Sequence, residues 1–488
     1  MADNLKQKAV SGAMWSGIDK FATVVLNFVS GIVLARLLTP SDYGVIGMLT
    51  IFLAISSTFI DGGFGSALIQ KKRPTNVDYS TILYWNVGLS IVLYAFLYFS
   101  APYVAKFYDL SLLCDVLRVL GVTLIINAAR IVQYNQLKKR LEFKNVAIVN
   151  LSSSFAALSI TIYLAWKGWG VWALVAQQLI LSSLCTLLYW VTSKWRPVLK
   201  FSIESFKALF SFGGFVLLSN LFNTFCNNIQ GLLIGKIYNS STLGFYSKAR
   251  SLEYQASTFI SSVLDQVTYP VLSEAQDSIS RMAGILKQFT RLSAFFTFPI
   301  IALLILLARP VFLLLYGERW VDAVPYFQLL CLAGIAICLQ NINYYAVAAL
   351  GQSNVLFKWT FIKRTVGLIL VIGGLVAFRL YGLLIGTVLS SWVVFAINAS
   401  LASKYVGYGF GKQMYDLLPI FACSLMAFLT AYSITLFDIS SVYVIGAFRF
   451  VAFVVVYCLL AHIFKLESFE LAKDTIAVLT RKIKIRFS

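Results

Sequence analysis

The eleven residues LARLLTPSDYG, Leu34 to Gly44, decide how the rest of the chain is read. They close a long apolar run with an arginine, a proline, an aspartate and a glycine in quick succession. Proline cannot continue a helix, because it lacks the N–H donor and crowds the preceding turn. A serine or aspartate just after it can accept from the orphan amides of a new helix. Glycine lets a second backbone come close. The stretch therefore predicts a tight hairpin between two apolar helices. Pro40 stops the first, Ser41 or Asp42 caps the second, and Gly44 meets a neighbour.

A blurred copy, LIGKIYNSSTLG, runs from Leu233 to Gly244. A displacement of 200 positions puts Arg36 on Lys236, Ser41 on Ser241 and Gly44 on Gly244. Upstream, Ser11 meets Ser211 and Asn27 meets Asn227. Two further anchors follow in the same order. APYVAKFY (101–108) matches RPVFLLLY (309–316), with Pro102 on Pro310, and GWGVWALV matches LYGLLIGT, with Gly170 on Gly382. Three ordered anchors predict an internal duplication of six helices. Six is even, so both copies enter from the same membrane face and the repeat is parallel. Such repeats are typical of transporters that hold substrate at the repeat interface. Chance matching of Leu, Gly and Ser is the competing explanation.

Composition supports the membrane reading. The 488 residues are 59% hydrophobic and 12% charged, about half the charge of a soluble protein. Apolar runs long enough for a core of about 30 Å recur from residue 10 to residue 464, giving fourteen candidate spans. The expected fold is an all-α polytopic membrane protein: a first six-helix bundle (1–200), a second (201–405), an added helix pair (406–465) and a basic amphipathic tail (466–488). In the tail, Phe469, Ala472, Ile476, Leu479 and Ile483 follow helical spacing among Lys and Arg, the pattern of an interfacial helix on an anionic leaflet. The loops are short, so no soluble domain is inserted.

The net charge of +20 would suggest nucleic acid in a soluble chain. Here most Lys and Arg fall on one set of loops, in QKKRP, KKRLEFK, SKWRPVLK and FIKR, and in TRKIKIRFS at the end. By the positive-inside rule both termini are cytoplasmic, and no nucleic-acid partner is needed. The first apolar segment lacks a cleavage pattern and reads as a retained helix. The seven cysteines are scattered and read as small apolar residues; no metal-ligand spacing occurs.

Polar residues inside the spans carry the functional signal. The first span holds Ser16, Lys20, Thr23, Asn27 and Ser30 on one face, with Asp19 beside Lys20. The second holds Thr50, Ser57, Asp61 and Gly65; the seventh, Asn220, Asn223, Asn227 and Gly231; the eighth, Arg250, Tyr254, Ser257, Ser261 and Asp265. A charge at the bilayer centre costs about 2.5–3.5 kcal/mol, and an apolar residue returns about 0.3–0.6. Asp19 and Lys20 in hydrocarbon would therefore cancel the insertion energy of their helix. A watery lumen removes the conflict. Local pairing is the competing reading, with Asp19 neutralising Lys20 and Glu253 neutralising Arg250.

A polar first helix followed by LARLLTPSDYG, and a second helix closing near FIDGGFGSALIQKK, resembles the Wzx-type polysaccharide or O-antigen flippases. These include the lipopolysaccharide and teichuronic acid biosynthesis transporters, within the multidrug/oligosaccharidyl-lipid/polysaccharide exporter superfamily. The resemblance covers nearly the whole chain. It implies a secondary transporter that moves undecaprenyl-pyrophosphate-linked oligosaccharide from the cytoplasmic to the periplasmic leaflet of a bacterial inner membrane. The transport would run by alternating access through a cationic lumen. Lys20, Lys248 and Arg250 match such lumen cations in character, and Arg118 and Arg130 are further intramembrane bases. Asn27, Asn223 and Asn227 add polar lumen groups. Asp19, Asp61, Glu253 and Asp265 are candidate responders to a proton or sodium gradient. No cofactor is expected. Partners would be membrane lipids and glycan polymerase or assembly proteins, around a monomeric transporter.

The physics runs the same way. Sugar hydroxyls left unsatisfied in hydrocarbon cost several kcal/mol each. Lys and Arg suit a pyrophosphate. A drug exporter of the multidrug extrusion branch would be expected to carry acids rather than bases, and a peptidoglycan lipid flippase is a nearer alternative. A glycan-modifying enzyme is disfavoured: there is no large loop, no GxxxxGK[ST], HExxH or GxSxG motif, and the one histidine, His462, sits at the end of the last span.

Overall fold

The computed structural model describes residues 2–436 and 441–470. Among these every regular element is helical. The tail expected over 466–488 lies outside the described residues from 471 onward.

Two compact units divide the chain, Met1–Ser247 and Lys248–Ser488. The first contains α1 (Ala2–Leu37), α2 (Pro40–Asp61), α3 (Phe64–Gln70), α4 (Asn76–Tyr108), α5 (Leu112–Ala128), α6 (Ile131–Lys139), α7 (Phe143–Trp166), α8 (Val171–Ser193) and α9 (Ile203–Ile237). The division falls inside α10 (Ser240–Glu274). The second unit continues with α11 (Ile279–Leu306), α12 (Ala308–Leu315), α13 (Val324–Ala349), α14 (Ser353–Val406), α15 (Phe410–Ser433) and α16 (Val442–Ile463).

By length and composition, 11 helical stretches among the described residues can cross a membrane. One of them, Asn354–Val406, is two helices joined by a kink at Phe378–Arg379. α9 and α10 have the length but carry more polar residues and are not among the eleven. Large apolar side chains such as Phe96, Phe99 and Val376 face outward, as lipid-facing surfaces require.

The opening hairpin differs from its expected chemistry by one residue. The cap of α2 is Thr39, not Ser41 or Asp42. Its hydroxyl accepts from the Asp42 amide at 3.3 Å and the Asp42 carboxylate accepts from the Thr39 amide at 2.8 Å. This reciprocal box satisfies two orphan donors at once. Pro40 opens the new helix at its first turn, where its missing N–H costs nothing. Thr75 and Asp78 cap α4 in the same way, and Lys71 adds an ion pair to Asp78 at 2.7 Å.

Gly44 and Gly244 meet the neighbours that the sequence asked for, and they do so reciprocally. The bare Cα of Gly44 rests on the Ser240 backbone, and that of Gly244 rests on the Pro40 backbone. A Cβ at either position would strike a carbonyl. Ser41 and Ser240 hydroxyls bond at 2.8 Å. Positions 40 and 44 of one copy thus touch 244 and 240 of the other, a reciprocal exchange of partners.

The duplication appears again at the second anchor. Tyr108 of the first copy donates to the Met48 carbonyl at 3.3 Å. Tyr316 of the second lies under Lys248, its ring centre 4.5 Å from the amine. Positions 48 and 248, and tyrosines 108 and 316, are the matched pairs. Both tyrosines are followed by a left-handed residue, Asp109 and Gly317. At the third anchor the structure corrects the register. Gly170 has φ 54 and ψ −131, and its backbone counterpart is Arg379 at φ 54 and ψ −136, not Gly382. The pairing then reads VWALV against LYGLL.

FIKR is also displaced from its expected place. The loop ends at Gln352, and Phe361–Arg364 lie more than two turns inside α14. Lys363 is therefore a residue of a helix long and apolar enough to cross a membrane, and not a loop charge.

Candidate functional site

In the first unit the polar face of α1 is open. Lys20 and Asn27 are exposed, and Lys20 forms no ion pair among the described residues. Asp19 turns the other way. Its Oδ2 accepts from Asn150 of α7 at 3.1 Å, and Asn150 Oδ1 accepts from Tyr189 of α8 at 2.8 Å. Adjacent residues on a helix point about 100° apart, so Asp19 reaches the inside of the unit while Lys20 looks outward. The local Asp19–Lys20 pairing does not form. The second oxygen of Asp19, Oδ1, is buried without a hydrogen-bond partner among the described residues. Thr50 and Ser57 of α2 are exposed, and Asp61 is half-buried at the end of α2, accepting from the Gly63 amide.

Arg130 is half-buried at the joint between α5 and α6, within electrostatic range of Tyr189. Arg118 belongs elsewhere: it stacks over the Tyr98 ring at 4.5 Å near the start of α5. Asn227 is exposed and Asn223 half-buried on α9. The first unit thus brings Asp19 and Arg130 to one neighbourhood, keeps Lys20 and Asn27 on an open face, and sets Arg118 apart.

The second unit treats the same spacing differently. Lys248 is 6% exposed, with its amine over Tyr316 and, at 5.8 Å, over Trp320. Its counterpart Met48 is a core residue at 1%. Lys248 therefore occupies a core slot in which two aromatic faces take the charge. Glu253, Ser257 and Ser261 are buried against α13. Ser257 donates to Glu253 at 2.6 Å, and both would collide with any side chain at Gly334. Ser261 bonds Cys338 at 3.3 Å. Arg250 is half-buried one turn before Glu253 and within its electrostatic range. Asp265 accepts from Asn341 of α13 at 3.3 Å.

Sequence reasoning missed Lys363. It is 7% exposed, and its amine donates to Asn398 at 2.8 Å. No carboxylate pairs with it among the described residues. Gly351 and Gln352 were the available signal, since a break there moves FIKR into the helix. A second omission is the cluster of Arg291, Asp416 and Tyr408. Asp416 accepts from Arg291 at 2.5 Å and from Tyr408 at 2.8 Å, and Lys287 lies 3.4 Å away. Burial and the bond to Asp416 push the Tyr408 phenol above its ordinary pKa. With both its charge and its lone pairs met, Asp416 joins α11 to α15.

What the open α1 face can do is hold a hydrated anion: an exposed ammonium with amides and hydroxyls along one stripe. Among the described residues no group of three or more metal-ligating side chains occurs.

Comparison with known proteins follows the same direction. A family described as "Polysaccharide biosynthesis protein" matches residues 33–325. The chain is 28% identical to the teichuronic acid biosynthesis protein TuaB of Bacillus subtilis (strain 168) over 73% of this chain and 74% of that one. It is 27% identical to the succinoglycan biosynthesis transport protein ExoT of Rhizobium meliloti (strain 1021), over 79% and 80%. Among solved structures the fold matches that of the lipid II flippase MurJ in an inward closed conformation. The TM-score is 0.75 at 15% identity, covering 93% of this chain and 98% of that chain.

Proposed function

The chain belongs to the polysaccharide biosynthesis protein family, and from that premise we propose that it is a secondary transporter of polyprenyl-pyrophosphate-linked oligosaccharide. It moves this lipid from the cytoplasmic to the periplasmic leaflet of a bacterial inner membrane, with both termini cytoplasmic. The observation that carries the reading is Lys20, exposed and without an acidic partner among the described residues on a membrane-crossing helix. Hydrocarbon around such an ammonium is costly. Water and a passing pyrophosphate are the environments that suit it. A relative named for succinoglycan transport supports the substrate class. In the second unit Arg250 on α10 is a further candidate contact for the anionic head. The polyprenyl tail stays in lipid throughout, so only the polar head needs a protein path.

A proton or sodium gradient drives the cycle in this reading. Asp19 is the strongest of the four acids for that task, because a buried carboxylate oxygen without a partner among the described residues is a place for a proton or a small cation.

Purified protein in proteoliposomes with a tagged lipid-linked oligosaccharide tests both parts. Transfer of the tag to the opposite leaflet is expected, faster with an imposed gradient, and Asp19→Asn should abolish the gradient effect. No transfer by the wild-type protein would overturn the transport reading. Transfer indifferent to both gradients would overturn the coupling.

A further inference from the structure

In the second unit the polar joint between α10 and α13 continues into a row of tyrosines. α10 and α13 run together in a regular ladder: Ser261 with Cys338, Asp265 with Asn341, then Tyr269 with Tyr345 at 6.0 Å between ring centres. Tyr344 continues the aromatic row, 5.9 Å from Tyr345. Its ring lies 5.9 Å from the Lys363 amine. Tyr269 and Tyr344 are 46% and 39% exposed, so each offers a ring face beyond the protein.

The polar surroundings decide what those faces are for. Interfacial tyrosines that merely anchor a helix face lipid headgroups and need no partners of their own. Here the row is edged by groups that hydrogen-bond sugars or phosphate. Tyr345 bonds Asp265, which holds that carboxylate in place beside the Asn341 amide. Gln340 Oε1 is buried and without a partner among the described residues. Lys363 spends one of its three donors on Asn398 Oδ1. An unmet acceptor, an ammonium and exposed ring faces on three neighbouring helices, α10, α13 and α14, are the parts of a sugar-phosphate site. Rings cover the apolar face of a pyranose, amides and a carboxylate take its hydroxyls, and the lysine takes the phosphate.

We infer that Tyr269, Tyr345 and Tyr344, ending at Lys363, form a saccharide-phosphate subsite in the second unit that holds the first sugars next to the pyrophosphate. The inference rests on the transport reading above and adds to it a place where sugars are distinguished from bare lipid phosphate. It also gives Asp265 a task as a fixed hydroxyl acceptor.

Binding measurements on the full-length protein in nanodiscs test it with two probes, polyprenyl pyrophosphate bearing a disaccharide and the same lipid without sugar. Tyr269→Ala and Tyr344→Ala should each weaken binding of the glycosylated probe about three- to tenfold and leave the bare probe within about twofold. Tyr344→Phe and Tyr344→Trp keep a ring and should keep the affinity, which separates ring loss from misfolding. Lys363→Gln should weaken both probes by about tenfold. Phosphatidylglycerol in excess should not compete with the glycosylated probe; full competition would assign the row to ordinary headgroups and overturn the subsite. Tyrosine variants that lose both probes equally, or neither, would also overturn it. A wild-type protein that binds neither probe would overturn the transport reading and this subsite with it. Binding of both probes, blind to ring removal, would overturn the subsite alone.

Discussion

Positions 48 and 57 on α2 and positions 248 and 257 on α10 are counterparts in the duplicated sequence, yet the structure uses them in opposite ways. Met48 is core and Ser57 is exposed. Lys248 is buried against two neighbouring aromatic rings, and Ser257 is buried against α13 with its hydroxyl on Glu253. One copy keeps its polar stripe open and its core apolar. The other turns part of its stripe inward and builds a polar helix–helix joint. Duplication fixes where a residue sits on its helix. It does not fix what packs against it.

The strongest way to break this comparison is chemical labelling, where the expected difference is all or none. In a background lacking the seven native cysteines, Ser57→Cys should react with a membrane-impermeant thiol reagent and Ser257→Cys should not. Equal reactivity would mean that the α10 stripe is open after all. Next in size is packing. Gly334→Leu places a side chain on Glu253 and Ser257 and should cost about 3 kcal/mol by thermal unfolding in detergent, the upper part of the range for overpacking. Gly17→Leu on α1, where nothing lies within 4 Å of a new Cβ, should cost nothing and gain helix propensity.

A smaller effect separates the two lysines. Lys20→Met should lower lipid-linked oligosaccharide transport at least about tenfold, a loss of about 1.4 kcal/mol in head-group contact, with unfolding unchanged. Lys248→Met restores the residue of the matched position and should leave transport near wild type while raising stability by about 1 kcal/mol, as replacement of a buried charge by a fitting apolar side chain often does. If Lys248→Met abolishes transport in a folded protein, the lysine contacts the cargo. The smallest expected effect concerns the third anchor. Arg379 holds the backbone conformation that Gly170 adopts freely. Arg379→Gly should therefore stabilise by about 1 kcal/mol, measured by the same unfolding assay, and Gly170→Ala should destabilise by a similar amount.

Much of the architecture was legible in the residues. LARLLTPSDYG announced a hairpin and its glycine demanded a close neighbour; that the neighbour is the copied motif itself came only from the structure. The Gly44–Ser240 contact meets the expected close approach, and Gly244–Pro40 repeats it. The cap fell on Thr39, because a threonine with an acid three positions later forms a box that a serine after the proline cannot. FIKR was misplaced because charge alone suggested a loop, although Gly351 and Gln352 already marked the turn.

The functional residues were less legible, for a reason that Asp19 and Lys20 illustrate. Spacing puts them on one helix in a span that cannot afford both charges in lipid. It cannot say that Asn150, more than a hundred residues away, captures the aspartate and leaves the lysine open. Spacing marks Lys248 as a candidate lumen cation and cannot say that Tyr316 and Trp320 lie against its amine. By itself the sequence determined an all-helical membrane chain, its repeat and its hairpins, because helix propensity, proline and glycine geometry and bilayer transfer energy act over a few residues at a time. Which polar groups meet water, which meet one another and which wait for a ligand was decided only by tertiary structure. Those outcomes depend on the partner brought across from a distant helix, and a charge or hydroxyl takes its energy from that partner.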